Sequence, residues 1–98
     1  MSDFREDIHT ILEDLEEVLV SKNLDYGNSF DQQMDEFGLV AGVIRLNDKL
    51  NRLKQLSKEN HNQQVNDESL YDTVKDTAGY AVLLLRWIDN GGKMNEKS

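Results

Sequence analysis

Residues 67–90 read DESLYDTVKDTAGYAVLLLRWIDN, and this stretch decides the fold. At about 100° per residue, one stripe of the predicted helix is acidic for two turns and then apolar or aromatic for two more. The acids are Glu68, Asp72 and Asp76, and the stripe continues through Gly79, Tyr80, Leu83 and Trp87. A solvated acidic face normally stays polar along its whole length. We therefore expect the three carboxylates to point into the protein.

The opposite side of the same helix carries a second apolar stripe, which we interpret as an ordinary core stripe. Its members are Leu70, Val74, Ala78, Ala81, Leu85 and Ile88. A helix that is apolar nearly all round must be packed on both flanks. The segment Ala81–Leu85 with Trp87 and Ile88 offers more apolar surface than three helices of one chain can cover. The sequence therefore predicts a homo-oligomer, a dimer or a larger assembly.

Inward-facing carboxylates require a divalent metal, a bound ligand or strongly raised pKa values. Glu68, Asp72 and Asp76 are accordingly candidate catalytic residues and candidate metal ligands. The alternative stays open that these acids are exposed, or are paired with Lys and Arg side chains.

Composition narrows the possible partners. The formal net charge of −8 over 98 residues argues against a nucleic-acid partner, because binding a phosphate backbone needs a basic face. A small phosphorylated ligand carried with Mg²⁺ remains compatible, since the metal reverses the local electrostatics. The chain has no cysteine and no apolar run longer than Tyr80–Leu85. We expect a soluble cytoplasmic protein that has no membrane partner.

Hydrophobic periodicity predicts an all-α fold. It is a bundle of three long helices and one short helix, completed by oligomerisation. The helices are expected at about residues 3–22, at Ser29–Phe37, at about Leu39–Leu56, and at the stretch quoted above. Gly38 and the pair Gly91 and Gly92 are the expected helix stops. Residues 1–92 would form a single domain and residues 93–98 a disordered tail.

The segment of residues 21–38 interrupts the periodicity and mixes a cation, hydrogen-bonding groups and aromatic rings. Such a composition suits a pocket for a base or a phosphate. Its candidate ligand-binding residues are Lys22, Asp25, Tyr26, Asn28 and Phe30. The alternative is a plain Asp-Tyr-Gly turn packed beneath its own aromatic rings.

The second long helix places charges beside its predicted core stripe. That stripe consists of Leu39, Val43, Leu46, Leu50 and Leu53, and the charges are Arg45, Asp48, Lys49 and Arg52. A charged stripe at the border of a core can face a neighbouring helix, and the acidic stripe of the last helix is its natural partner. The cations would then hold phosphate oxygens. Alternatively, Arg45 and Arg52 pair with the acids as a buried structural network.

Three sequence blocks in this order resemble a known family. They are KNLDYGNSF (Lys22–Phe30), IRLNDKLNRL (Ile44–Leu53) and DESLYDTVKDTAGYA (Asp67–Ala81). Together they resemble the nucleotide-modification-associated family, type 1, a group of small and often phage-encoded proteins. This group is similar in turn to the MazG-like all-α NTP pyrophosphohydrolases. The resemblance spans about residues 22–85.

The resemblance implies an all-α fold, nucleotide ligands, and oligomers whose sites are shared between chains. For the enzymes it implies Mg²⁺-dependent release of pyrophosphate. Asp76 falls where the aspartate of the second acidic motif is expected, with Glu68 and Asp72 beside it. The enzymes usually carry an E-E-x-x-E block on the preceding helix. Arg45, Asp48 and Lys49 stand at that place here, and this departure favours a cationic pocket over a metal site.

Two main functions follow from these residues. In the first, Glu68, Asp72 and Asp76, with Asp48, hold Mg²⁺ on a nucleoside triphosphate and activate water, giving a monophosphate and pyrophosphate. In the second, cations hold a nucleotide-derived ligand without turnover, as in an anti-defence sponge of a phage. A third and weaker possibility is a helical bundle with a purely structural or protein-interaction role. Tyr26 or Phe30 would stack on the base, and Tyr80 is a further candidate ligand-binding residue. The cations in place of E-E-x-x-E favour binding that survives EDTA.

Overall fold

The computed structural model describes residues 3–22, 28–59 and 68–92, and these ranges contain four α-helices and no strand. The helices are α1 (Phe4–Lys22), α2 (Asn28–Phe37), α3 (Leu39–Glu59) and α4 (Glu68–Asp89). The predicted all-α fold of three long helices and one short helix is confirmed, and α3 runs three residues beyond its predicted end. None of the described helices has both the length and the apolar character needed to cross a membrane.

Glycines end α2 and α4 as predicted. Gly38 adopts a φ of +84°, and its N–H donates to the carbonyl of Met34 at 2.7 Å. Gly91 has a φ of +81°, and the N–H of Gly92 donates to the carbonyl of Trp87 at 2.8 Å. Both patterns satisfy carbonyls that the helix end leaves without an intrahelical donor. Glycine is favoured at the two positive-φ positions because it has no Cβ.

The core forms where the short helix α2 crosses the end of α4. Phe30 and Met34, one turn apart on α2, pack with Trp87 of α4, and all three are buried. Helix α3 approaches closely at Gly42, where an added Cβ would lie 2.7 Å from Cδ2 of Leu84. The missing side chain of Gly42 therefore sets how near α3 can lie to α4.

Helix α1 is attached to α4 by a short contact. Leu15 is buried, and an added Cβ on Gly79 would lie 3.3 Å from Cδ2 of Leu19. Asp14 forms an ion pair with Lys75 beside this contact. Several large apolar side chains of α1 stay exposed in the single chain, namely Phe4, Ile8, Ile11, Leu12 and Val20.

The predicted core stripe of α4 is wrong. Val74, Leu85 and Ile88 are 51%, 62% and 42% exposed. Trp87, which was expected to add to an oligomer surface, is instead buried inside the chain. The reason is that α2 and α3 pack on the Trp87 side of α4, and α1 packs near Gly79. The stripe on the remaining side therefore faces outward.

The predicted core stripe of α3 is also wrong in part, because of how α3 is turned toward α4. Leu39, Val43 and Leu50 are exposed, whereas Leu46 and Leu53 are half-buried. Helix α3 turns Gly42 rather than Val43 toward α4. Completion of the bundle by oligomerisation stays a prediction.

Truncating the central core residue should destabilise the fold. Met34 is fully buried, so Met34→Ala should lower the free energy of unfolding by about 2–5 kcal/mol through lost burial and a residual cavity. Urea denaturation followed by circular dichroism measures this change. Val40→Ala, at an exposed position of α3, is the control and should cost much less. Equal losses for the two variants would contradict this assignment of the core.

Candidate functional site

The candidate site is centred on Arg45, where α2, α3 and α4 meet. Its Nη1 donates a hydrogen bond to Oη of Tyr80 at 3.2 Å, and its Nη2 donates to Oε1 of Gln33 at 2.6 Å. Arg45 is half-buried. Both acceptors are neutral oxygens, so neither cancels the charge of the guanidinium. A partly desolvated cation held by neutral groups remains attractive to an anion.

The ring of Tyr80 lies among two cations and one aromatic ring. The guanidinium carbon of Arg45 is 5.8 Å from the ring centroid, and Nζ of Lys49 is 5.9 Å from it. Both distances are within the range of a cation–π interaction. The ring of Phe30 lies 5.7 Å away at an interplanar angle of 39°. Tyr80 therefore helps to hold the positive charges of Arg45 and Lys49 together where α3 packs on α4.

The two described acids of the stripe, Asp72 and Asp76, differ in their orientation. Asp72 is exposed, which contradicts its predicted inward orientation, because α1 reaches α4 only from about Lys75 onward. Asp76 is half-buried and pairs with Lys49 at 3.4 Å, the two side chains being 41% and 32% exposed. Asp76 therefore follows the alternative left open above, in which an acid of the stripe pairs with a cation. The side chain of Glu68 lies outside the described residues.

A small cleft between α1 and α4 extends the site toward the end of α1. Its volume is about 30 Å³, room for roughly one water molecule. Lys22, Lys75, Asp76 and Tyr80 line it above an apolar floor that includes Leu15. The cleft therefore brings Lys22, predicted as a ligand residue, to the same place as Asp76 and Tyr80.

The other predicted ligand residues are exposed, buried in the core, or outside the described part of the chain. Asp48 and Arg52 are exposed on α3. Phe30 is only 2% exposed, so its ring belongs to the core and cannot stack on a ligand in this conformation. Asp25 and Tyr26 lie outside the described residues, as does the side chain of Asn28.

The described side chains do not make a ready metal site. Among them, no three acidic, histidine or cysteine residues lie close enough together to hold an ion. Asp76 is engaged by the ammonium of Lys49. The described donors therefore do not fit the Mg²⁺ centre that the resemblance implies, and the predicted trio with Glu68 is not tested.

Sequence reasoning missed the polar residues of α2. Asp31 accepts a hydrogen bond from Arg86 at 2.7 Å, and Asp35 accepts one from Nε1 of Trp87 at 3.0 Å. These contacts fix α2 on α4 and so place Gln33 against Arg45. The sequence did contain a signal for these contacts. Asp31 and Asp35 lie four residues apart, on one side of a helix and next to the apolar residues Phe30 and Met34.

Comparison with known families gives a match to most of the chain. The model of a family described as nucleotide modification associated domain 1 matches residues 22–86, more than half of the chain. The comparisons with curated proteins and with solved structures give no match. The matched segment contains Arg45, Lys49 and Tyr80, and begins at Lys22.

The ion pair that fastens α1 beside the cleft should make stability depend on pH. The hydrogen bond to Asp14 raises the pKa of Lys75 above its ordinary value of 10.5. A raised folded-state pKa means that the charged form stabilises the fold. This contribution is complete below the unfolded pKa and is lost as pH rises through the folded one.

Lys75→Met should therefore lower Tm at pH 8. The difference in Tm between this variant and the unsubstituted protein should be smaller at pH 11. Thermal melts followed by circular dichroism at the two pH values measure this. Lys54→Met, at an exposed position of α3, removes the same charge and should show no such narrowing. A Lys75→Met difference that stays constant with pH would contradict the assignment.

Proposed function

The chain belongs to the nucleotide modification associated domain 1 family, and from this premise we propose that it binds a nucleotide or a nucleotide-derived phosphorylated small molecule. The binding site is the cluster of Arg45, Lys49 and Tyr80, extended by the cleft that Lys22 lines. The observation that carries the proposal is the half-buried guanidinium of Arg45. Its hydrogen bonds to Tyr80 and Gln33 leave its charge uncancelled.

A phosphate group is the ligand that this guanidinium fits best. Arginine presents five donors in a planar fork that matches the oxygens of a phosphate, and charge-assisted bonds of this kind are the strong ones. The bonds to Gln33 and Tyr80 occupy one hydrogen on each of two nitrogens. Further donors of Arg45 therefore remain for a ligand, and its side chain is already ordered.

Lys49 supplies the second charge at low cost. Its pair with Asp76 spans 3.4 Å and is about one third exposed. Pairs this open to solvent contribute roughly 0–1 kcal/mol. Lys49 can therefore exchange Asp76 for a phosphate oxygen, while its ammonium stays within 5.9 Å of the Tyr80 ring centroid.

Binding without turnover is the function we favour, so that the protein sequesters its ligand. The support is that Asp76 is paired with a cation and that the described acids do not converge. The Mg²⁺-dependent pyrophosphohydrolase is the alternative. It would use Asp72 and Asp76, which lie one turn apart on α4, together with Glu68. Sequestration of a nucleotide signal, as in an anti-defence sponge of a phage, is the form of this function that the resemblance suggests.

The test is a panel of nucleotides titrated by calorimetry, once with Mg²⁺ and once with EDTA. Binding should survive EDTA. Arg45→Gln should weaken it about 10- to 150-fold, because it removes a charge-assisted contact worth roughly 1.5–3 kcal/mol. Arg5→Gln removes the same charge from an exposed position of α1 and should leave affinity unchanged. Circular dichroism verifies that both variants are folded.

The same titrations separate the alternatives when the products are analysed by chromatography. Pyrophosphate that appears only with Mg²⁺ would establish the enzyme and overturn sequestration. Equal affinity in Arg45→Gln and the unsubstituted protein would place the ligand elsewhere. No binding by any member of the panel would favour the purely structural bundle.

A further inference from the structure

One face of α4 is covered by no other described part of the chain. Trp87 and Tyr80 face α2 and α3, and Gly79 faces α1. The face that is left spans about five turns and is apolar from Tyr71 to Ile88, and the exposed carboxylate of Asp89, in line with Tyr71, borders it at the end of α4. Its residues are Tyr71, Val74, Ala78, Ala81, Leu85 and Ile88, of which all but Ala78 and Ala81 are large, and all six are exposed.

From Tyr71 to Ile88, the sizes of the side chains on this face follow the same order when the helix is read from either end. Ala78 and Ala81 are equally far from a point between residues 79 and 80, and so are Val74 and Leu85. Tyr71 and Ile88 form the outermost pair about the same point. The face is therefore small at its centre and large at both ends.

We propose that this face binds a second copy of the chain, with the two α4 helices antiparallel about a twofold axis between residues 79 and 80. In a twofold contact, residue i meets residue j while j meets i. Between Tyr71 and Ile88 the face meets this condition in side-chain size, because the two alanines oppose each other and each large side chain is opposed by another large one. Val74 packs against Leu85 of the other copy, and Tyr71 packs against Ile88.

The size pattern also fits a pair of helices. Two alanines at the centre let the helix axes come within about 8 Å, the short end of the usual range. The matched segment from Tyr71 to Ile88 is roughly 26 Å long at 1.5 Å per residue. A ligand of small size would use only part of such a face, whereas an identical helix covers its whole length.

This interface leaves the candidate site accessible in each chain. Tyr80 projects about 130° around α4 from the centre of the face, and its partner Arg45 comes from α3. The two copies would therefore carry separate sites on their outer sides. This arrangement differs from the shared sites that the resemblance implies, and it does not depend on the proposed ligand.

Disulfide formation tests the axis directly, because the chain has no native cysteine. Val74→Cys and Leu85→Cys chains, one carrying a longer tag, are mixed and oxidised. The proposed pairing brings residue 74 of one copy to residue 85 of the other, so the mixed disulfide should dominate. Two copies of residue 74 lie eleven positions apart along the pair, roughly 16 Å, too far for a disulfide.

Either of two oxidation results would overturn the proposal. Disulfides between two Val74→Cys chains would show parallel helices, and an absence of any disulfide would show that the faces do not meet. A second, independent measurement is the mass in solution at micromolar concentration. It should be about 22.6 kDa, twice the 11.3 kDa of the chain.

Ala81→Glu should reduce that mass to about 11.3 kDa, since it places two carboxylates near the axis. Its helix content should be unchanged, because Ala81 is exposed in the single chain. Asn51→Glu, which adds the same charge to an exposed position of α3, should keep the dimer. A dimer that persists in Ala81→Glu would refute the interface. Failure of the nucleotide titrations would leave these results unaffected.

Discussion

The structure depends on the way in which α2 holds the end of α4. Trp87 is packed by Phe30 and Met34, while its Nε1 donates to Asp35 at 3.0 Å. A buried indole contributes a large apolar surface to the core, and the hydrogen bond of its N–H fixes the orientation of the ring. This contact sets the rotation of α4 about its axis, so that Tyr80 meets Arg45.

The helix boundaries could be predicted from the sequence because they are determined locally. Apolar period, polar interruptions and the absence of proline mark the helices. The stops at Gly38 and Gly91 require a positive φ that glycine adopts without strain. Arg45 and Lys49 could also be found, since charges that border an apolar stripe are unusual on a surface helix.

The directions of the helix faces could not be predicted in the same way. Helix α4 has two apolar sides, and periodicity alone does not say which one the chain covers itself. The short helix α2 decides this through Met34, and no feature of α4 reveals that choice. Asp72 was predicted to point inward and is exposed, because α1 does not reach it. Phe30 was predicted to bind ligand and is a core residue.

Under the proposed function, the position of Arg45 would explain how an acidic chain attracts a phosphorylated ligand. A net charge of −8 repels polyanions at long range, but salt screens that repulsion beyond about 8 Å. Within this distance Arg45 and Lys49 both flank Tyr80, and Asp76 is the described carboxylate that pairs with Lys49. The local field therefore favours a small anion, whereas an extended polyanion would also meet the acidic remainder of the surface. Under the proposed function, this difference would favour small phosphorylated molecules over nucleic acids.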